Sequence, residues 1–406
     1  MENKNIKFNF VRNGTTAEET PAENTIWIDV GNKMQKGIID HHGDEKDDSV
    51  CAAEMVYKHP ELVLENITDS RDLTIVGHIL PDFDCVASAY LVKQLAENGK
   101  INPEIEKIVE YAKLTDTGKI NPGRNNVRNV YSILNAFAYM PENSNKSFDQ
   151  LNEFIMTKGF ELLDYCMERI KSNPELTLES EDFIEENCTF MEEIKLLEDA
   201  SKKYETTLER SEKTEMSVPT LDGRVKNVPA VFVKSIPENE LTRDMLKNWL
   251  RNDGFVFTSI PIYDSHRFIT DDGKKLEDVS TSRVILSVAP ENNVNLKGLG
   301  HNIEKKEEKK CSELGIKRYS KGRDGSITYS NRPGYESPDP WYDGRGHNYE
   351  IIDGPMSGSV LSVDEINNIA KEYSVHIQKA NKLEETVEES KKLDESEKNN
   401  NIQEQE

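Results

Sequence analysis

The sequence predicts an α/β fold: a mostly parallel sheet flanked by helices, then a helical middle segment, then a smaller α+β second domain. Three observations carry this expectation. Short apolar runs alternate with helix-period segments across residues 25–119. Helical periodicity then takes over from about 125 to 215, and strand patterns return after about 216. The expected layout is an α/β domain over 1–124, a helical insertion or connector over 125–215, an α+β domain over 216–375, and an acidic tail over 376–406.

Each element has a local reason. Thr25-Ile-Trp-Ile-Asp29 is a short apolar run ended by an acid and Gly31, the pattern of a buried strand, and Gly37-Ile-Ile-Asp40 is a second such run. Ser49 to Lys58 reads as a helix, with Cys51, Met55 and Val56 at helical spacing and His59-Pro60 as its stop. Leu73 to His78 is a third strand, and Asp84 to Glu97 a helix ending before Asn98-Gly99. Glu106 to Leu114 is taken as a fourth strand. Three helices follow: Val130 to Met140, Phe148 to Lys171, and the strongly charged Phe190 to Arg210, which either projects or packs as a connector. In the second domain, Ala230 to Val233, Phe255 to Thr258 and Arg283 to Val288 are strand candidates, and Gly and Pro cluster as loops between 322 and 358. There are no internal repeats.

Composition narrows the function classes. No apolar run approaches the ~20 residues that cross a bilayer, and the N-terminal Met1-Glu-Asn-Lys-Asn-Ile-Lys lacks the apolar core of a signal peptide. Five scattered cysteines, odd in number and without a Cys-x-x-Cys pair, argue against a disulfide framework and against a thiolate zinc site. A cytoplasmic, reduced protein with no membrane association is expected. The net charge of −24 disfavours non-specific binding to long duplex nucleic acid. Residues 382–406 hold nine acids against four bases and almost nothing apolar, the composition of a disordered tail. Residues 297–324 reverse the balance, with nine bases (among them Lys305, Lys306, Lys309, Lys310, Lys317 and Arg318) against five acids. Such a stretch suits a small anionic substrate, and a solvated helix face accounts for it about as well.

The chemistry-bearing residues fall where the apolar runs end, the place where open α/β sheets put their ligands. Asp40-His41-His42 directly follows one strand, and imidazole with carboxylate suits Mn, Fe, Co or Zn rather than Ca. Taken alone, the triplet is as well explained by a polar turn. His78-Ile-Leu-Pro-Asp82-Phe-Asp84 follows another strand and opens a helix. An Asp before a helix is an ordinary N-cap, but a cap needs one Asp and no histidine. Asp29 ends a strand, and Asp116 sits in Leu114-Thr-Asp-Thr-Gly118. Either acid alone is unremarkable at such a position. Together the six potential ligands Asp29, His41, His78, Asp82, Asp84 and Asp116 are the supply that two metals ~3.5–4 Å apart require, with one carboxylate bridging.

On these residues, the stretch 29–118 resembles the DHH phosphoesterase superfamily. Asp40-His41-His42 matches its name-giving triplet. His78-x-x-x-Asp82-x-Asp84 matches its metal motif in residue types and spacing, and Thr115-Asp116-Thr-Gly118 its late Thr-Asp-Thr-Gly motif. Ser49-Val-Cys-Ala-Ala-Glu54-Met-Val-Tyr57 resembles the small-residue helix after the triplet in members that cut short oligonucleotides. The resemblance implies a two-metal centre holding Mn²⁺ or Mg²⁺. His78 and Asp82 would hold one ion, Asp84, His41 and Asp116 the other, with Asp29 bridging. His42 would face the scissile phosphate and Asp40 would orient the histidines. One departure stands out. The family places the His-x-x-x-Asp-x-Asp element first, whereas here it follows the triplet, and residues 1–28 contain neither His nor Asp. The resemblance therefore implies a circularly rearranged sheet.

The family grips substrate with its C-terminal domain, often through a glycine-rich segment ending in His. Gly298-Leu-Gly-His301 and Gly344-Arg345-Gly-His347 are the candidates here, with Arg345, His347 and His301 as substrate-binding residues. Trp341 and Tyr342 beside the second segment offer either stacking surfaces for a base or ordinary core. The activity expected is metal-dependent hydrolysis of a phosphodiester in short oligonucleotides or cyclic dinucleotides. A pyrophosphatase or polyphosphatase, a single-strand DNA exonuclease and a catalytically idle nucleotide-binding regulator are the alternatives. The partner expected is a small phosphate-containing or short nucleic-acid substrate, and assembly into a homo-oligomer stays open.

Overall fold

The computed structural model describes residues 5–42, 49–68, 72–235, 237–265, 268–269, 275–276, 281–315, 341–344, 348–355 and 358–380. The chain is mixed α/β and divides into two compact units. The first comprises Met1–Glu209 together with Pro237–Asp253, and the second Arg210–Ile236 with Gly254–Glu406.

The first unit is built on a five-stranded sheet of order β1-β5-β2-β4-β3. Its strands are β1 (Asn5–Val11), β2 (Thr25–Ile28), β3 (Met34–Gln35), β4 (Ile38–Ile39) and β5 (Asp72–His78). β1, β5, β2 and β4 run parallel, and β3 alone is antiparallel to its neighbour. Parallel strands send all their carboxyl ends to one edge. Trp27 pairs with Val76 and Ile28 with Ile39, so Asp29, His78 and Asp40 fall level with one another just past the last paired residues. β1 was not foreseen, because its alternation of apolar Ile6, Phe8 and Phe10 with polar residues lies ahead of the first buried apolar run.

Helices α1 (Ala52–Lys58), α2 (Pro60–Leu64) and α3 (Phe83–Asn98) belong to this sheet layer. α3 is buried on nearly every side, from Phe83 through Val92 and again at Leu95 and Ala96, as its continuous apolar sequence requires. Asp82 caps its start by accepting the Cys85 N–H, and Gly99 closes its end in the left-handed conformation (φ 67°). Pro60, expected to stop α1, also opens α2, as proline can at a first helical turn.

The segment taken as a fourth strand is a helix, α4 (Glu106–Asp116). The apolar residues Ile105, Ile108, Val109 and Ala112 recur every three to four positions and are all buried, a helical period that the strand reading overlooked. Asp116 therefore sits at a helix C-terminus rather than at a strand end. α5 (Val130–Phe137), α6 (Phe148–Ser172) and α7 (Met191–Arg210) follow, α6 opening with a reciprocal Ser147/Gln150 capping box. α7 packs rather than projects, burying Ile194, Leu197, Ala200, Tyr204 and Thr207 along one face.

The second unit holds a sheet of order β12-β11-β8-β7-β6, formed by β6 (Glu212–Pro219), β7 (Val225–Phe232), β8 (Phe257–Ser265), β11 (Thr281–Val288) and β12 (Ile351–Asp353). β9 (Phe268–Ile269) and β10 (Lys275–Leu276) make a separate antiparallel pair. α9 (Leu299–Glu313) and α10 (363–380) contribute Leu299, Ile303, Ile366, Ala370 and Tyr373 to the core over this sheet. Residues 376–380, counted with the expected acidic tail, instead continue α10; the rest of that tail, 381–406, lies outside the described residues.

β7 and β8 are parallel, so their connection must be a crossover rather than a hairpin. That crossover carries α8 (Glu240–Asn252), which the sequence reading counted with the second domain but which belongs to the first unit. Its apolar face is buried through Leu241, Met245, Leu246, Trp249 and Leu250, and Trp249 meets Tyr204 of α7 edge to face at 5.5 Å.

Candidate metal centre

Asp29, directly after β2, is the residue around which the others gather. Its backbone turns into the left-handed region (φ 54°) while its N–H still donates to Ile39. That turn buries its carboxylate among three imidazoles. Oδ1 lies 3.4 Å from His41 Nε2 and 3.7 Å from His42 Nδ1, and Oδ2 lies 3.2 Å from His78 Nε2. His78 is fixed from its other nitrogen, because Nδ1 is 3.0 Å from the Ile79 carbonyl and donates to it. Nε2 is thereby turned toward Asp29 and toward Asp82 Oδ1 at 3.5 Å.

His41 faces a different group of carboxylates. Its Nε2 lies 3.7 Å from Asp116 Oδ2 and 3.9 Å from Asp84 Oδ2, besides Asp29. Asp29 thus stands between a His78/Asp82 side and a His41/Asp84/Asp116 side. Asp84 is held by α1, whose first turn donates Ala52 N–H to Oδ2 (2.7 Å) and Ala53 N–H to Oδ1 (2.8 Å). The small residues after the triplet therefore have a local purpose: they let a helix N-terminus close on a buried carboxylate. Glu54 of the same helix accepts from Lys58 (2.6 Å) and Lys113 (3.0 Å).

Asp40 points away from the cluster and builds the turn. It accepts the Asn32 N–H (2.6 Å), the His42 N–H (3.0 Å) and His42 Nδ1 (2.8 Å). His42 stacks obliquely on His41 at 3.9 Å and keeps part of its ring exposed, whereas His41 is buried.

The electrostatics are those of a crowded anionic site. Burial raises Asp29, but the imidazoles of His41 and His78 overcome it and hold the carboxyl below the ordinary range. Burial and the neighbouring carboxylates of Asp29 and Asp116 push Asp84 well up. Burial likewise lifts Asp116 to about 7; Asp29 and Asp82 add to this, and His41 opposes it. Burial alone would lower His41, yet Asp29, Asp116 and Asp84 carry it up to about 10. His78 and His42 are raised against the same penalty.

Two buried atoms at the centre, Asp29 Oδ1 and His41 Nε2, have no hydrogen-bond partner, since their 3.4 Å approach is not aligned for one. Unmatched donor atoms among repelling carboxylates are what a cation would resolve. Three groups place their donor atoms within 4.8 Å of one another and could hold a metal ion: Asp29/His78/Cys85, Asp29/His41/His42 and His41/Asp84/Asp116. Cys85 was missed in the sequence. It follows Asp84 directly and is fully buried, with Gly77 leaving the room its sulfur occupies.

A cleft of about 170 Å³ adjoins this cluster, wholly within the first unit, with Asp82, Asp84 and Asp116 on one side and Lys247, Asn248 and Arg251 of α8 on the other. The side chain of Lys247 meets water in the cleft, but the protein surrounding it lowers its ammonium to about 8, with Arg251 adding repulsion. The loop at the mouth is also set from afar: Asn152 of α6 accepts the Leu80 N–H (2.8 Å), and Leu80 adopts φ 52°. Helix caps mark both elements locally, Ser147/Gln150 for α6 and Asn239 for α8, but no metal-ligand or catalytic motif points to Asn152 or to α8.

The residues expected to bind substrate are placed differently. Arg345 and His347 lie outside the described residues. His301 is exposed near the start of α9 in the second unit. Trp341 and Tyr342 are core rather than a stacking platform: both are buried, and the Trp341 backbone and indole N–H groups donate to Glu304 and Glu307. Lys305, Lys306 and Lys309 lie on the solvated face of α9, and Lys310 pairs with Glu365; Lys317 and Arg318 lie outside the described residues. All five cysteines are buried and none is in a disulfide, and no described helix is long and apolar enough to cross a membrane. Comparison with family models, with curated proteins and with solved structures finds no match.

Proposed function

We propose that this chain is a metal-dependent phosphoesterase of DHH type with its motif order rearranged, hydrolysing a small phosphate-containing substrate at a two-ion centre. The observation that carries this reading is the position of Asp29, whose two oxygens face separate His/Asp groups. A rearranged motif order is compatible with that centre, because the ligands meet at one edge of a parallel sheet and not in sequence.

His78 and Asp82 would hold one ion, His41, Asp84 and Asp116 the other, and Asp29 both. When bound, a pair of Mn²⁺ or Mg²⁺ ions supplies Lewis acidity toward phosphoryl oxygens and makes a water acidic enough to attack at neutral pH. The chain's own contribution is positioning. Asp40 holds His42 by two hydrogen bonds and supports its protonated form, so the imidazolium can donate to a non-bridging oxygen as charge builds there. The α1 N-terminus fixes Asp84, and the Ile79 carbonyl fixes the nitrogen that His78 presents.

Short oligonucleotides and cyclic dinucleotides are the first substrates to test, alongside pyrophosphate and single-stranded DNA. Product release from a generic phosphodiester should require added Mn²⁺ and be lost in His41→Ala with Asp84→Ala. Activity that survives this double substitution would place the chemistry elsewhere.

A further inference from the structure

We infer that Cys85 is a thiolate ligand to the ion on the His78 side of Asp29. That position then selects a thiophilic divalent ion such as Zn²⁺, while the His41 side keeps Mn²⁺ or Mg²⁺. This rests on the two-ion reading and adds what that reading lacks, a chemical difference between the two positions.

Two contacts place the sulfur. Cys85 lies in the first turn of α3, where its N–H donates to Asp82 Oδ1 (3.1 Å), so its backbone is tied to a ligand of the same ion. Gly77, the neighbour of His78 on β5, leaves bare backbone where a Cβ would stand 2.7 Å from Cys85 Sγ. The sulfur thus sits at the carboxyl end of β5. Its donor atom lies within 4.8 Å of those of Asp29 and His78, and all three residues are buried. Donors bonded to one ion at about 2.0–2.3 Å stand up to roughly 4.5 Å apart, so the group closes on a cation with little movement.

Packing does not account for this placement. A buried cysteine is ordinarily a small apolar filler, yet Cys85 borders a carboxylate and an imidazole. The other four buried cysteines join no such donor group among the described residues. Asp29, with which the thiolate would share the ion, is 5% exposed, and its Oδ1 has no hydrogen-bond partner. An orphaned carboxylate oxygen at that depth calls for a ligand. Burial pushes the Cys85 thiol up in the ion-free chain, so its proton leaves to solvent as the sulfur–metal bond forms.

Donor type separates the two positions. His78, Asp82, Asp29 and Cys85 offer one nitrogen, two oxygens and one sulfur, a mixed four-donor set that suits Zn²⁺. His41, Asp84, Asp116 and Asp29 offer one nitrogen and three oxygens, a harder set that suits Mn²⁺ or Mg²⁺. Within the first set Asp82 is half-exposed and Cys85 fully buried, so the thiolate would hold the ion from its buried side and leave the open side to substrate.

The test uses the full chain, stripped of metal with EDTA and kept reduced under argon, with Co²⁺ as an optical stand-in for Zn²⁺. The wild type should show the visible ligand-field bands of cobalt together with a near-ultraviolet sulfur-to-cobalt charge-transfer band. In Cys85→Ser the ultraviolet band should vanish while the visible bands persist, and Cys51→Ser should keep both. By calorimetry Cys85→Ser should lose at least the roughly 10–100-fold in Zn²⁺ affinity that mutating a partner behind a ligand costs, with Mn²⁺ affinity at the other position little changed. Visible bands without the ultraviolet band in the wild type, or an ultraviolet band that survives Cys85→Ser, would overturn the thiolate and leave the two-ion reading standing. A wild type that binds neither Co²⁺ nor Mn²⁺ would overturn both. Should Cys85→Ser fail to fold, Cys85→Ala, which removes the sulfur without adding a hydroxyl, decides in its place.

Discussion

Asp84 closes the N-terminus of α1 through Ala52, whose backbone N–H it accepts at 2.7 Å, while the same oxygen faces His41 at 3.9 Å. One carboxylate therefore does two jobs, capping a helix and facing the cluster. Asp84→Ala should leave the Ala52 and Ala53 N–H groups buried without acceptors, a cost of about 1–3 kcal/mol each before any relief of repulsion from Asp29 and Asp116. In thermal unfolding the variant should melt below the wild type and lose the upward shift that Mn²⁺ gives the parent. A variant that still responds to Mn²⁺ would show that Asp84 is a cap only.

The pH response of the ion-free chain has a definite sign. His41 is raised from 6.5 to about 10, so its stabilisation is complete below 6.5 and is lost as pH rises toward 10. Asp116 is raised from 3.8 to about 7, so the folded state binds its proton more tightly, and this contribution too is lost as pH climbs from 3.8 to 7. Asp29, lowered, acts oppositely, but only below its ordinary 3.8. With EDTA the melting temperature should fall steadily from pH 5 to pH 9, and the gain from Mn²⁺ should widen over the same range. A flat EDTA profile would contradict this electrostatic account.

Asp40 should matter through His42. Asp40→Asn keeps the size of the side chain but removes the charge that supports the His42 imidazolium. Turnover should drop roughly ten- to hundredfold, as for other residues that orient a ligand from behind, and the pH profile on its alkaline side should move down as His42 becomes easier to deprotonate. Mn²⁺ affinity by calorimetry should change much less. An equal loss in both would make Asp40 a support of the whole turn rather than of His42.

Gly77 and Cys85 test the packing beneath the cluster without reference to activity. A Cβ on Gly77 would stand 2.7 Å from Cys85 Sγ. Gly77→Ala should therefore cost about 1–3 kcal/mol of overpacking, and Cys85→Ala in the same chain should recover much of it. Additive losses in the double-mutant cycle would mean that the two positions do not touch.

The strand ends were legible because they are local. Buried apolar runs stop at Asp29, Asp40 and His78, and a parallel sheet sends such ends to one edge whatever their order along the chain. The misreading of Glu106 to Leu114 as a strand was also local, a short apolar segment whose period of three to four was outweighed by its apolar content. Trp341 and Tyr342 could not be assigned from their neighbours, since an aromatic pair beside a glycine loop reads alike whether core or surface.

By itself, the sequence determined the donor types, their places at element ends and the α/β character of the chain, all matters of residue chemistry and short-range period. The tertiary structure alone decided what those donors face. Asp84 finds its helix cap more than thirty residues upstream, and Asp29 finds His78 across the sheet. Lys247 and Arg251 line the cleft although they lie more than 130 residues past Asp116 along the chain. Such long-range placements depend on chain topology, to which no local pattern of residues is sensitive.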